Sequence, residues 1–175
     1  MPSSVGHMLA GVAVSRVFGG RPREHCAHAL LATAADLDIA AARLRGRRID
    51  YAYRRSHSIG AALAAGAAIG GARWLRGGLF VPLALRGSAA YASHLLLDYF
   101  GKEADSGLPL LWPLSKRRFV TDHQLFETIV SSREHFVRGL LTLRNLKRVG
   151  REVAMIAPVV IASGLLGGRD LTSGL

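Results

Sequence analysis

A single cysteine, Cys26, stands in 175 residues. That count excludes an internal disulfide and a metal cage built from several thiolates. Aromatic residues are scarce, at 7%, so a core must be packed mainly from small and aliphatic side chains. No stretch shows sustained period-two alternation rich in Val, Ile and Thr, which argues against a sheet. Acidic residues are few: 12 Asp and Glu face 23 Lys and Arg, for a formal net charge of +11. Such a balance calls for an anionic partner, either nucleic acid or the anionic face of a membrane. The N-terminus has no basic n-region, and its first apolar run is broken by His7 and Arg16, so no secretory signal is expected.

Half the residues are hydrophobic, and alanine and glycine are abundant. Such a composition suits closely packed helices with small residues at their contacts. The expected fold is all-α, an Ala/Gly-rich bundle of five or six helices forming one domain over residues 1–175, with residues 170–175 a loose tail. Helices are expected over residues 5–18, 25–35, 59–75 and 81–100, with a polar amphipathic one over 122–138 and a last apolar one over 152–166. Ser56 or Ser58 is suited to cap the third of these, Pro82 falls near the start of the fourth, and Pro158 is expected to kink the last. Residues 43–55 are strongly basic and without amphipathic period, and read as a loop. A second loop spans 101–115, with Gly107, Pro109 and Pro113 as breakers. Basic residues cluster again at 116–118 and 144–151.

A spanning helix needs about 20 mostly apolar residues. Residues 58–72 and 153–168 fall short, and 79–100 is long enough but contains Arg86, His94 and Asp98. One alternative is a soluble protein with buried Ala-rich helices. The other, which is favoured, is a membrane-associated protein whose ionisable groups face inward and whose basic clusters lie on the cytoplasmic side.

Within Ser93-His94-Leu95-Leu96-Leu97-Asp98-Tyr99, a histidine and an aspartate are four residues apart in an apolar run. On a helix they share one face, which suits a metal ion as well as an ordinary capping pair. The company strengthens the metal reading: His7, Asp36, Asp38 and His57 also sit in or beside apolar stretches, and buried imidazoles and carboxylates need partners. Asp36 and Asp38 point to roughly opposite sides of a continuous helix. Either the backbone leaves the helix there, or one is a ligand and the other a supporting or capping group.

Mixed histidine and carboxylate ligands suit Zn, with Mn or Fe as alternatives, in one or two ions; they fit an all-oxygen Ca site poorly. A catalytic centre would keep a position open for water, and a spare carboxylate, here Asp38, would take its proton as general base. Arg54 and Arg55, with Lys116 and Arg117, are candidates to hold an anionic substrate group such as phosphate. The competing interpretation is a solvated or headgroup-facing basic surface. His25 and His28 lack carboxylate company and read as structural, and His123 and His135 as solvent-side residues of a polar helix.

The order of these motifs resembles a family. His7, Ala35-Asp36-Leu37-Asp38, Arg55-Ser56-His57-Ser58, His94-Leu95-Leu96-Leu97-Asp98 and the loop Gly107-Leu108-Pro109-Leu110-Leu111-Trp112-Pro113-Leu114 are similar to the YdjM-like family of bacterial inner-membrane-associated metal-dependent hydrolases. The resemblance covers residues 1–119 and, more loosely, the helix near Val153. It implies a helical protein of the bacterial inner membrane with a metal site at His7, Asp36, His57, His94 and Asp98. Ser56 stands where that family commonly has threonine, so the hydroxyl is kept. The His-x-x-x-Asp helix also resembles, at motif level alone, the all-helical zinc phospholipase C and P1 nuclease group.

Two functions from different classes follow. One is a metal-dependent hydrolase, with a phosphoesterase on a small or lipid-like, membrane-proximal anionic substrate as the first candidate and membrane lipid as partner. The other is a non-catalytic membrane protein whose cluster is a structural metal site or polar network. Nucleic-acid binding is disfavoured, because the basic residues are scattered among loops without interleaved aromatics or a binding motif.

Overall fold

The computed structural model describes residues 2–46, 54–101, 107–127 and 142–167. Among these the fold is all-α, with six α-helices and one 3-10 turn: α1 Ser4–Val17, α2 Pro22–Leu31, the turn Ala34–Asp36, α3 Leu37–Leu44, α4 Ile59–Trp74, α5 Phe80–Tyr99 and α6 Leu143–Gly167. The starts have local causes. Ser3 caps α1 by accepting from the Gly6 amide, and Ser58 caps α4 by accepting from Ala61. Pro22 opens α2, where the Glu24 carboxylate accepts from the Arg21 amide, satisfying a donor the helix itself cannot.

Helix α1 contacts α2, α5 and α6, and α5 contacts α1, α2, the 3-10 turn and, along its length, α4. The α4–α5 pair depends on missing side chains. A methyl at Gly66 would collide with the Ala84 carbonyl and with Ser88, and one at Gly70 would meet the Phe80 carbonyl and Ala84. Two glycines four apart therefore let the backbones approach closely. One apolar cluster joins Ala10, Leu97, Phe126 and Ile156; a second joins Ala35, Ala62, Tyr91 and Leu95. His94 and Asp98 alternate with these leucines along α5. The loop after α5 folds back on the bundle: Leu110 packs on the second cluster, and its carbonyl accepts from the Ile59 amide at 2.9 Å.

Several expectations need correction. The helix expected over 25–35 begins earlier, at Pro22, and ends at Leu31. The basic stretch over 43–55 is not loop throughout, because α3 runs to Leu44; its start, Leu37-Asp38-Ile39-Ala40-Ala41-Ala42, is rich in good helix formers. Residues 47–53 lie outside the described residues. The helix expected over 122–138 is absent from 122–127, and 128–138 lies outside the described residues. The basic segment 144–151 and the apolar segment 152–166 are one helix, α6, which continues through Pro158.

Among the described residues α6 is the one helix long and apolar enough to cross a membrane, and only 17% of its most apolar window is buried within the protein. A core helix of a soluble protein would be largely covered. Large apolar side chains also stand exposed on other helices, including Leu30, Leu63, Val81 and Leu85.

Candidate metal centre

Four elements bring the site together. Helix α1 supplies His7 one turn after its cap. That cap is tied across the bundle: the Ser3 amide donates to both Glu152 oxygens, at 2.8 and 3.0 Å, and the Ser3 hydroxyl to Oε2. The 3-10 turn delivers Asp36 at its last position. The segment before α4 supplies His57, and the Tyr91 hydroxyl steadies it by donating to the Ser56 carbonyl at 2.9 Å. Helix α5 supplies His94 and Asp98, one above the other.

His7, His57 and His94 are fully buried, and Asp98 is 5% exposed. Their polar atoms converge. Asp98 Oδ2 lies 3.1 Å from His57 Nε2 and 3.3 Å from His94 Nε2, and Asp98 Oδ1 lies 3.5 Å from His7 Nε2. Asp36 Oδ1 is 3.6 Å from His57 Nε2 and 3.7 Å from His94 Nε2. The His57 and His94 Nε2 atoms are 3.1 Å apart. The His7 and His94 rings stack with centroids 3.8 Å apart.

Hydrogen bonds on the far sides of two rings fix their tautomers. His94 Nδ1 is 2.8 Å from the Ala32 carbonyl, which can only accept, so Nδ1 carries the proton and Nε2 presents a lone pair. The Ser56 hydroxyl donates to Asp38 Oδ2 at 2.8 Å, so toward His57 Nδ1, at 2.9 Å, it accepts. His57 Nε2 is then also a lone pair when the ring is neutral. Two lone pairs 3.1 Å apart beside carboxylate oxygens repel unless a cation lies between them. A proton on His57 is one such cation. Burial opposes charge on His57, but hydrogen bonds to Asp36 and Asp98 outweigh it and raise its pKa above the ordinary imidazole value. Burial likewise opposes charge on Asp98, yet the three histidines hold its pKa well below the usual carboxylate range.

A metal ion is the other candidate cation, and the residues fit one. Two ligand atoms about 2 Å from an ion are about 3 Å apart, close to the separations seen. His7 Nδ1, His7 Nε2 and Asp98 Oδ1 are buried without any hydrogen-bond partner, which is costly in a finished interior. Two overlapping groups have ligand spacing: His7 with His94 and Asp98, and Asp36 with His57 and His94. Imidazole and carboxylate together are donors for Zn, Mn or Fe.

All five expected ligands thus come together. Asp38, expected as the general base, does not join them. Both of its oxygens accept from Arg54, each at 3.1 Å, and Oδ2 accepts also from Ser56. A carboxylate so occupied has little room to take a proton from water, and its place is behind His57. Arg54, expected to hold substrate, is buried and paired with Asp36 at 2.5 Å as well as with Asp38. Arg55 is exposed, with its guanidinium 5.4 Å over the Trp112 ring. Lys116 and Arg117 are exposed. His25 and His28 bond Ser15 and the Glu24 carbonyl within the bundle, and His123 is exposed, whereas His135 lies outside the described residues. Two supports went unforeseen. Tyr91 carries no signal in the sequence, whereas Glu152, an acid beside a long apolar run, does.

These features define an all-α protein with a buried histidine and carboxylate centre and a long helix whose apolar stretch is largely exposed. The chain matches the YdjM inner membrane protein family over residues 1–169 and belongs to that family. It is an inner membrane protein. Comparison with curated proteins and with solved structures found no match.

Proposed function

We propose that the protein is a metal-dependent hydrolase, with Zn the first candidate and Mn or Fe next, acting on a phosphoester of a lipid-like or membrane-proximal substrate. The observation that carries this is the pair of Nε2 atoms of His57 and His94, 3.1 Å apart and faced by Asp36 and Asp98. His7, His57, His94 and Asp98 would hold the ion or ions, and Asp36 would complete the set. A divalent ion held there supplies Lewis acidity and brings the pKa of water toward neutrality. Asp36 is the open side of the site, its side chain 24% exposed, and is placed to ligate or to accept a proton from an incoming water. Arg54 orients Asp36 and Asp38 together. Arg55, exposed and braced on Trp112, is the side chain free to meet an anionic group.

The alternative is a structural metal site, favoured by the complete burial of three ligands, since structural sites are closed. Elemental analysis of detergent-purified protein before and after chelation, paired with hydrolysis of generic phosphomonoesters and phosphodiesters, separates the two. Bound metal with metal-dependent turnover is the expected result. Bound metal without turnover on either ester class favours the structural site, and absence of stoichiometric metal rejects both.

A further inference from the structure

Between α2, α4 and α5 lies a cleft of about 440 Å³. Leu30, Leu31, Ile69, Leu83 and Gly87 form its apolar walls, and none of the five converging side chains lines it. One cation intrudes. Arg86 is half-buried on the cleft wall, and its guanidinium lies 6.0 Å from the Phe18 ring centroid. Among the described residues it has no carboxylate within ion-pairing distance. Glu24 and His28 line the cleft at its polar edge, where one Glu24 carboxylate oxygen accepts from the Arg21 amide and His28 Nδ1 is bonded to the Glu24 carbonyl.

We infer that this cleft binds one anionic phospholipid, its acyl chain along the leucine walls and its phosphate on Arg86. Three observations select that occupant. The walls are apolar, and Leu30, 64% exposed, continues the apolar surface from the cleft outward. A half-buried guanidinium with no ion pair among the described residues favours an anion, and phosphate matches its fork. The chain belongs to an inner membrane family, so anionic lipid is the ligand such a surface meets. A free phosphate would leave the leucine walls uncovered, and an uncharged hydrocarbon would leave Arg86 without an ion pair.

Native mass spectrometry of the full chain, released from mixed micelles holding equal amounts of phosphatidylglycerol and phosphatidylcholine of one acyl length, tests this. Wild type should retain one phosphatidylglycerol with about fivefold preference, the scale of one basic side chain near anionic lipid. Arg86→Gln should abolish the preference while still retaining lipid. Leu83→Trp, which fills the cleft, should lose both lipids. Arg76→Gln, on the exposed turn after α4, should match wild type. Excess glycerol phosphate should displace nothing, and displacement would reject a lipid site. No preference in wild type, a preference surviving Arg86→Gln, an equal fall in Arg76→Gln, or a lipid-free dimer would each overturn the inference. Chelation should leave retention unchanged, and Arg86→Gln should leave metal content unchanged, so this site and the metal centre stand or fall separately.

Discussion

At one end of α5, Asp98 is 5% exposed and faces three imidazoles. About three turns earlier, Arg86 sits half-buried beside leucines with no acidic partner among the described residues. The same helix carries one charge ringed by imidazoles and one with no ion pair among the described residues. Depth explains the difference. Asp98 lies where solvent scarcely reaches, so its charge persists only because His7 from α1, His57 from the segment before α4 and His94 from α5 itself face it. Arg86 lies at the wall of an open cleft, where its long stem can pack on apolar surface while its head stays reachable. The first arrangement is closed by its own side chains, and the second opens onto an apolar cleft.

The sharpest way to break the contrast is Asp98→Ala. It removes the one carboxylate shared by all three histidines. Bound metal and any hydrolysis should both be lost, and the chelated protein should be destabilised by roughly 3–5 kcal/mol, the usual cost of deleting one member of a buried charged set. Elemental analysis and thermal melts of chelated protein check this. Metal retained at the wild-type level in Asp98→Ala would remove Asp98 from the ligand set.

Next comes pH, because a proton and a metal ion compete for His57 Nε2. The raised pKa of His57 sets the sign: protonation of the metal-free form begins above the ordinary value of 6.5, and metal binding must expel that proton. Apparent metal affinity should therefore weaken as pH drops, with the weakening starting above pH 6.5 rather than below it. Chelator competition between about pH 8 and pH 5 reads this directly, and an affinity unchanged across that range would contradict the competition.

The smallest effect tests the support behind the ring. Ser56→Ala deletes the acceptor that holds His57 Nδ1, and should weaken metal affinity by about 10–100-fold while leaving the ligand set intact. Ser56→Thr keeps the hydroxyl and should restore affinity in a chelator competition. Equal affinity in the alanine and threonine variants would show that the Asp38–Ser56–His57 chain does not orient the imidazole.

Much of the centre was legible in the chain itself. His94 and Asp98 share a helix face by period alone, and His7, Asp36 and His57 stood out as polar groups in apolar company. The division between Asp36 and Asp38 was visible only as a choice. A one-turn 3-10 helix ending at Asp36 and passing directly into α3 resolves it, sending Asp36 to the histidines and Asp38 to Arg54 and Ser56. Propensity does not encode such a handover, because a single turn contributes too little local energy to be read from composition. The fusion of the basic and apolar segments into α6 was hidden for a related reason: a change of polarity along one helix resembles a boundary when only sequence is in view.

Sequence alone determined the all-helical class, the abundance of small residues at helix contacts, the inner-membrane family and the identity of the five converging side chains. Each of these follows from short-range period or from motif order. Tertiary structure alone decided which nitrogen of each ring faces the centre, that Asp38 and Arg54 stand behind the site rather than in it, and that Arg86 opens onto an apolar cleft. Those outcomes depend on groups far apart in the chain, such as Ala32 with His94 and Asp38 with Ser56, whose meeting is set by how α1, α2, α4 and α5 pack. Local propensity is blind to such distances, and a hydrogen bond takes its direction from both partners.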